Sequence, residues 1–313
     1  MNLQRGPAAL LAVGGGLVVA TQARVNGEFG QAAGHPAAGA LLTAATGLLI
    51  LTVVAALARP VRSAVLALPG TIRSGALPWW ALLVGTFGGI ILLSQTVAVP
   101  SLGVAVYSVI IVTSLTAAGL LVDRAGLGPA GVQALTRNRL AGAGLAGLAA
   151  VVAAGPDVAA GSFALAPAAV TIAAGAGGAT QSALLGRLGV TSGQPIAAMW
   201  VNYAGATLTL AVLLAALTAH GASWGLPALS WLWLGGPLGL LIVGSIVVTV
   251  PRAGVLVVTL ALTAGQLVGS LLWDWAAPVA GRAVDPWAIA GAVLLMAAVT
   301  IAAGVGGAPR RRG

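Results

Sequence analysis

The feature that most constrains this chain is a series of long apolar runs that hold almost no charge. Ten such runs follow one another along the sequence. A bilayer core about 30 Å thick is crossed by roughly 20 apolar residues in an α-helix. The runs, and hence the predicted spans, are 7–26, 36–57, 78–99, 103–122, 139–156, 163–185, 195–217, 229–250, 254–273 and 286–305. The chain is therefore predicted to be an all-α integral membrane protein with ten transmembrane helices.

Composition excludes the main alternatives to a helical membrane protein. Hydrophobic residues make up 59% of the chain and charged residues 6%, whereas a soluble domain has about 25% charged residues. Strands of a membrane barrel alternate in polarity over about ten residues, and these runs do not alternate. The chain has no cysteine, which excludes disulfides and thiol chemistry.

Two distant stretches of the sequence resemble each other. The first stretch is ATQARVNGEFGQAAGHP at 20–36, and the second is ATQSALLGRLGVTSGQP at 179–195. At an offset of 159 residues the two are identical at the positions of Ala20, Thr21, Gln22, Gly27, Gly30, Gly34 and Pro36. A second block matches at an offset of 151, where Pro100, Gly103 and Asp123 correspond to Pro251, Gly254 and Asp274. We interpret the chain as two copies of one five-helix unit, 1–156 and 157–313.

An odd number of spans in each unit would orient the two units oppositely in the membrane. Such inverted repeats are related by a pseudo-two-fold axis in the membrane plane, and transporters use them for alternating access. The sequence therefore favours a secondary transporter. Because the run 163–185 corresponds to the first run and is internal, we expect the first helix to be retained rather than cleaved as a signal peptide.

The basic residues are distributed unevenly between the two sides of the predicted membrane. Twelve would lie on the side of the termini: Arg5, Arg59, Arg62, Arg73, Arg124, Arg137, Arg139, Arg187, Arg252, Arg310, Arg311 and Arg312. Arg24 and Arg282 would lie on the other side. The positive-inside rule then predicts cytoplasmic N and C termini in a bacterial inner membrane. The net charge of +9 is explained by this topology and by lipid headgroups, so no nucleic-acid partner is expected.

Several motifs of the chain resemble those of a known family. They are Gln22 in the first helix, NGEFG at 26–30 interpreted as a turn, the Gly-x-Pro start of the second helix at Gly34 to Pro36, and GQLVGSLLWD at 265–274. Together they resemble the YdcZ-type family of the drug/metabolite transporter (DMT) superfamily, in its fused two-unit form. The resemblance implies a DMT/EamA-like fold of two inverted five-helix repeats and transport of a small organic solute, and it names no ligand. Two positions depart from the internal repeat, since Gln266 corresponds to Leu115 and Asn26 to Leu185.

Polar side chains inside the predicted spans are the candidates for substrate binding. They are Gln22, Asn26, Gln181, Trp200, Asn202, Tyr203, Thr263 and Gln266. Leaving a buried polar group unpaired costs roughly 1–3 kcal/mol, so these side chains should face a neighbouring helix or a cavity. For the three glutamines, interhelical hydrogen bonding and cavity lining are both open. Trp200, Asn202 and Tyr203 replace Leu41, Thr43 and Ala44 of the first unit, a difference that suits a substrate pocket or different packing.

The charged residues near the helix ends have two interpretations each. Arg24 and Glu28 are four residues apart, which predicts an ion pair on one helix face; an entrance gate is the alternative. Asp123 and Asp274 end corresponding helices and are interpreted as polar anchors, with proton carriage as the alternative. No carboxylate lies near the centre of a predicted span, which weighs against proton-driven antiport of cations.

Catalysis is not expected from this sequence. His35 and His220 lie in or near predicted loops without a cluster of acidic residues that would make a metal site, and His35 is interpreted as a turn residue before Pro36. We expect no enzyme activity, cofactor or metal. The expected partners are a small-molecule substrate and the lipid bilayer, and a homodimer is left open. The competing function is a non-transporting membrane scaffold, accessory subunit or lipid-binding protein.

Overall fold

The computed structural model describes residues 5–129, 131–253, 255–278 and 285–303, which form helices joined by turns. The α-helices are α1 Arg5–Ala32, α2 Pro36–Leu57, α3 Arg59–Arg73, α4 Val84–Arg124, α5 Arg137–Ala159, α6 Leu165–Ser192, α7 Pro195–Ala219, α8 Gly235–Ala253, α9 Val255–Ala276 and α10 Pro286–Ala302. Short 3₁₀ helices, Trp79–Leu83 and Trp231–Leu234, precede α4 and α8. Within these residues seven helices are long and apolar enough to cross a membrane. Two shorter apolar helices, Trp231–Ile246 and Pro286–Ala302, accompany them.

Parts of the predicted pattern lie outside the described residues. They are the end of the tenth predicted span at 304 and 305, Gly254 at the start of the ninth, and Arg282 with Arg310, Arg311 and Arg312.

The third and fourth predicted spans form a single long helix, α4, that is interrupted at Gly103. The backbone there has φ 77° and ψ 168°, a conformation that glycine adopts far more readily than any residue with a Cβ. Residues 84–102 are called α4a below, and residues 104–124 are called α4b. Tyr107 and Ile110 of α4b lie in the largest apolar cluster, which also includes residues of α1 and α6.

Helix α1 continues beyond the predicted end at 26. The NGEFG segment, interpreted as a turn, is helical, and the helix ends at Ala32. Phe29 is buried and packs edge-to-face on Trp233. The arginine count assigned Arg24 to the outer side of the membrane, at the end of the first predicted span, but it is a buried residue of α1. The sequence prediction ended the span at 26, between the two charged residues, whereas Arg24 and Glu28 pair one helical turn apart and the helix continues to Ala32.

The segment 58–75, which lies between the second and third predicted spans, contains the amphipathic helix α3. Val61 and Leu68 are buried against the protein, whereas Arg59, Arg62 and Arg73 are exposed. Pro60 lies in the first turn of the helix, a position where the missing N–H has no helical partner to lose. The helix escaped prediction because a search for long uncharged runs does not detect a 15-residue helix with a charged face.

The repeated Gly-x-Pro motif builds the same turn in both units. Gly34 and Gly193 have left-handed φ angles of 75° and 62°, and Pro36 and Pro195 begin α2 and α7. A left-handed glycine after one helix and a proline at the start of the next are favoured positions for these residues. As predicted, His35 is a turn residue; its Nδ1 accepts a hydrogen bond from the Ala37 N–H at 3.1 Å.

Contacts between α5 and α10 come in corresponding pairs. At an offset of 149 residues Gly142 corresponds to Gly291. Gly142 lies against Ala298 and Ala302 of α10, and Gly291 lies against Ala149 and Ala153 of α5. Because Ala149 and Ala153 correspond to Ala298 and Ala302 at the same offset, each helix uses the same surface on the other.

A corresponding pair of contacts also joins α1 to α9 and α6 to α4b. Gly16 of α1 packs against the backbone of Gly265, with the Gly265 Cα 2.8 Å from where a Cβ of residue 16 would lie. Gly175 of α6 packs against Ser114, with the Ser114 Cβ 2.6 Å from the corresponding point. Small residues let membrane helices approach closely, and here they do so at corresponding positions of the two units.

Candidate functional site

Asn26 lies at the junction of three helices in the interior of the protein. It is fully buried. Its Nδ2 donates to Gln95 Oε1 of α4a at 2.5 Å, and its Oδ1 accepts from Thr43 Oγ1 of α2 at 2.8 Å. Gln22, one turn earlier on α1, donates from Nε2 to the backbone oxygen of Gly235 at 2.8 Å. We call Gln22, Asn26, Thr43 and Gln95 the first polar cluster.

A second polar cluster is formed by Gln181 of α6 and Asn202 of α7. Gln181 Nε2 donates to Asn202 Oδ1 at 2.8 Å. Both side chains lie against Gly88 of α4a, since a Cβ there would be 2.8 Å from each of these two atoms. The hydrogen bond therefore occupies the space that a side chain at position 88 would need.

The two clusters occupy corresponding places in the two units. Gln22 corresponds to Gln181, and Gly88 corresponds to Gly239 of α8 at the offsets found in the sequence. A Cβ at Gly239 would lie 2.6 Å from Gln22 Nε2. Each glutamine thus faces the corresponding glycine of the other unit.

Tyr203 and Trp200, both on α7, contact different surroundings. The buried ring of Tyr203 lies against Gly47 of α2, and its hydroxyl points to Gly239 beside Gln22. Tyr203 therefore belongs with the first polar cluster, although Asn202 belongs to the second. Trp200 is half-buried, and its Nε1 donates to Thr52 Oγ1 at 3.0 Å, which directs it to α2 and away from both clusters.

The predicted polar stripe on α9 is only partly buried. Thr263 is buried and Gln266 is half-buried, but Thr259 is exposed. Ser270 is buried and donates to the backbone oxygen of Leu267 in its own helix at 2.8 Å. Among the hydrogen bonds of the described residues, none joins Thr263 or Gln266 to either cluster. The structure therefore places Gln22, Asn26 and Tyr203 at the first polar cluster and Gln181 and Asn202 at the second, and leaves the α9 residues aside.

Sequence reasoning missed Gln95 and Thr43, which complete the first polar cluster. Gln95 lies within the third predicted span, where a long amide among apolar residues was itself a signal. Tyr107 of α4b was missed in the same way; its hydroxyl lies 3.1 Å from Ser94 Oγ. Each of the amide side chains in the two clusters therefore has a hydrogen-bond partner on another helix.

A cavity of about 450 Å³ lies at the C-terminal end of α1. Its lining residues are Arg24, Gly27, Glu28, Gln31, Ala32, Val99, Pro100, Leu232 and Pro278. Arg24 Nη2 lies 2.5 Å from Glu28 Oε1, so the ion pair predicted from the spacing is present and borders the cavity.

Asp274 at the end of α9 binds the start of α4b. Its Oδ1 accepts from the Val104 N–H at 2.9 Å, and its Oδ2 accepts from the Ala105 N–H at 2.7 Å. Asp123, the corresponding residue of the first unit, pairs instead with Arg139. Among the described residues, no group of three or more His, Asp or Glu could hold a metal ion.

The geometry defines a class of protein: an all-helical membrane protein whose two units pack through corresponding surfaces around paired polar side chains. The sequence model of one family, described as "Putative inner membrane exporter, YdcZ", matches the chain at residues 7–152 and again at 166–301. The chain belongs to this membrane transporter family of the DMT superfamily, and it has the two-unit form. Neither a curated protein nor a solved structure matched the chain.

Proposed function

We propose that this protein is a secondary transporter that moves a small organic solute across the bacterial inner membrane by alternating access. In this proposal residues 1–156 and 157–313 are two inverted five-helix repeats, and both termini are cytoplasmic. The family description names an exporter, so outward movement is the direction that we propose.

The lengths of the helices support the proposal of ten spans. The segment Trp79–Arg124 has 46 residues and would be about 70 Å long as one straight helix, more than twice the thickness of the hydrocarbon core. The break at Gly103 supports two passes, α4a and α4b. Together with the six other long apolar helices and the two shorter ones of the described residues, these two passes make up the ten spans that we propose.

An inverted arrangement is supported by the corresponding contacts. If α5 and α10 each use the same surface on the other, a two-fold rotation relates them, as it also relates α1 with α9 to α6 with α4b. Five spans in each unit place that axis in the membrane plane. The exposed arginines of α3 support a cytoplasmic position for this helix.

The observation that carries the proposal is the placement of Gln22 and Gln181. These equivalent glutamines each face the third span of the opposite unit, so both clusters lie where the units meet. Rocking of one unit against the other would change the surroundings of both amides together. Since the clusters are closed by hydrogen bonds in this structure, solute entry requires some of these bonds to break.

The proposed topology can be tested by cysteine labelling because the chain has no native cysteine. Ser74 and Ser223 are both exposed residues of connecting segments, and they form a matched serine pair. We expect a membrane-impermeant maleimide to label Ser223→Cys in intact cells and Ser74→Cys only after permeabilisation. Labelling of both residues in intact cells would contradict the inverted arrangement, and the reverse pattern would contradict the orientation.

Transport can be tested by a thermal-stability screen of the purified protein against metabolites and drugs, followed by flux of each hit in proteoliposomes. A ligand at a hundred times its Kd stabilises by about 2.7 kcal/mol. We expect Gln22→Leu and Gln181→Leu to lose both the stabilisation and the flux. Ser182→Ala is the matched control, because Ser182 Oγ bonds only to the Gly178 oxygen of its own helix.

A folded wild-type protein that binds no compound and supports no flux would contradict the transport proposal. The scaffold, accessory-subunit and lipid-binding functions would then gain support. If both glutamine variants melt at a lower temperature but are stabilised by ligand as much as the wild type, these residues serve helix packing and not solute binding.

A further inference from the structure

The guanidinium of Arg24 is buried with part of its hydrogen-bonding capacity unused. Arg24 is 8% exposed, and its Nη2 bonds to Glu28. Its Nε and Nη1 are buried and have no hydrogen-bond partner among the described residues. A guanidinium has five N–H donors and stays charged in proteins, and a buried donor without an acceptor is costly. A hydrogen-bond acceptor placed at these two nitrogens would therefore be stabilising.

A small molecule bound in the cavity that Arg24 lines would supply that acceptor. The cavity holds about 450 Å³, within the range of small-molecule sites. Val99, Pro100 and Leu232 supply apolar wall, while Glu28 and Gln31 supply polar groups. Such a lining fits an organic molecule with an apolar body and one acceptor-rich end.

The nearby carboxylates indicate which acceptor fits. Glu28 already places a carboxylate on the guanidinium, so this chemistry matches the site. Asp274 does not supply the missing acceptor, because its two oxygens accept N–H groups of α4b. A second carboxylate at Arg24 would compete with Glu28 for one positive charge, and the Glu28 side chain is partly exposed.

We propose that this cavity binds the carboxylate group of a small organic solute, with Arg24 as the recognising residue and Glu28 as the group that the solute displaces. The inference deepens the proposed function, on which it rests for its meaning in transport, by naming the class of solute. Carboxylate and guanidinium form strong, charge-assisted hydrogen bonds, and the ion pair keeps Arg24 neutralised until the solute arrives.

Binding is tested by calorimetry on the purified full chain with propanoate, benzoate and 4-methylpentanoate, each beside its matched amide. We expect at least one acid to bind and its amide to bind about tenfold or more weakly. Arg24→Gln should lose the binding. Glu28→Gln should tighten it, because the competing carboxylate is gone. Arg187→Gln is the control, since Arg187 donates to the Gly126 oxygen of another segment.

The opposite effects of the two substitutions separate recognition from a structural role. If Arg24 and Glu28 served only as a structural pair, both substitutions would weaken the protein alike and neither would tighten binding. Binding of no acid by folded wild-type protein, or equal binding of acid and amide, would overturn the inference. A second variant, Arg24→Lys, keeps the charge and should retain weaker binding if Arg24→Gln fails to fold.

Failure of this site and failure of the transport proposal give different results. Acid binding that depends on Arg24, without flux of any acid in proteoliposomes, would support the site and contradict transport. Flux of a neutral solute that is unchanged in Arg24→Gln would support transport and overturn the carboxylate site.

Discussion

Asp274 and Asp123 occupy corresponding positions of the two units and make opposite kinds of contact. Asp274 is buried, and both of its carboxylate oxygens bind backbone N–H groups of the other unit. The Asp123 side chain is 41% exposed and pairs with Arg139 of its own unit. One aspartate therefore joins the units, and the other joins two neighbouring helices within a unit.

The surroundings of each aspartate explain the difference. The first N–H groups of a helix have no partner within it, and a carboxylate at that end also interacts favourably with the helix dipole. Asp274 reaches these groups because Gly103 has no side chain; a Cβ there would lie 3.0 Å from Asp274 Oδ2. Asp123 has a basic neighbour in Arg139, whereas the residue corresponding to Arg139 at an offset of 149 is Ala288.

The comparison teaches that a repeated sequence fixes the positions of side chains and not their partners. Under the proposed mechanism it also assigns different mechanical roles to the two ends. The units are held together at the Asp274 end by two hydrogen bonds, which must break if α4b and α9 separate there.

The largest effect is expected from Asp274→Ala. The substitution removes both acceptors and leaves the Val104 and Ala105 N–H groups buried without partners. We expect the free energy of unfolding to fall by about 3 kcal/mol or more, because each hydrogen bond to a charged group contributes about 1.5–3 kcal/mol. Thermal unfolding in detergent measures this loss. Asp274→Asn keeps one acceptor and should lose less; an unchanged melting temperature for Asp274→Ala would contradict the capping role.

An intermediate effect is expected from Gly103→Ala at the same end. A Cβ is strained at φ 77° and would also press on the Asp274 carboxylate. We expect a loss of about 2 kcal/mol of stability, within the range for strained backbone positions. The control is Gly119→Ala, also in α4b, where a Cβ would meet nothing within 4 Å. Equal melting temperatures for the two variants would show that the break does not depend on glycine.

The smallest effect is expected at the Asp123 end. The ion pair with Arg139 is partly exposed, and such pairs contribute about 0–1 kcal/mol. Asp123→Ala and Arg139→Gln should therefore each lower the melting temperature far less than Asp274→Ala does. Added salt screens the ion pair, so it should make the loss in these two variants smaller still. A loss at Asp123 as large as that at Asp274 would remove the distinction between the two ends.

Much of the architecture was accessible from the sequence. The apolar runs predicted a helical membrane protein, and the doubled Gly-x-Pro motif predicted the two units and the turns after α1 and α6. The partners of Gln22 and Asn26 were not accessible, since Gly235, Thr43 and Gln95 are distant in the chain. The amphipathic helix α3 and the extension of α1 beyond residue 26 to Ala32 also escaped prediction, because the search followed uncharged runs and ended near charged residues.

The sequence by itself determined that this protein resides in a lipid bilayer and that it contains an internal repeat, because apolar run length and residue identity are local properties of the chain. Only the tertiary structure decided which polar groups pair. It set Gln22 and Gln181 against glycines of opposite units, placed Arg24 on the wall of a cavity with two free nitrogens, and gave the Asp274 and Asp123 carboxylates different partners. The physical reason is that a hydrogen bond between helices requires its donor–acceptor distance to be right to within a few tenths of an ångström. The packing of small residues at the helix contacts sets that distance.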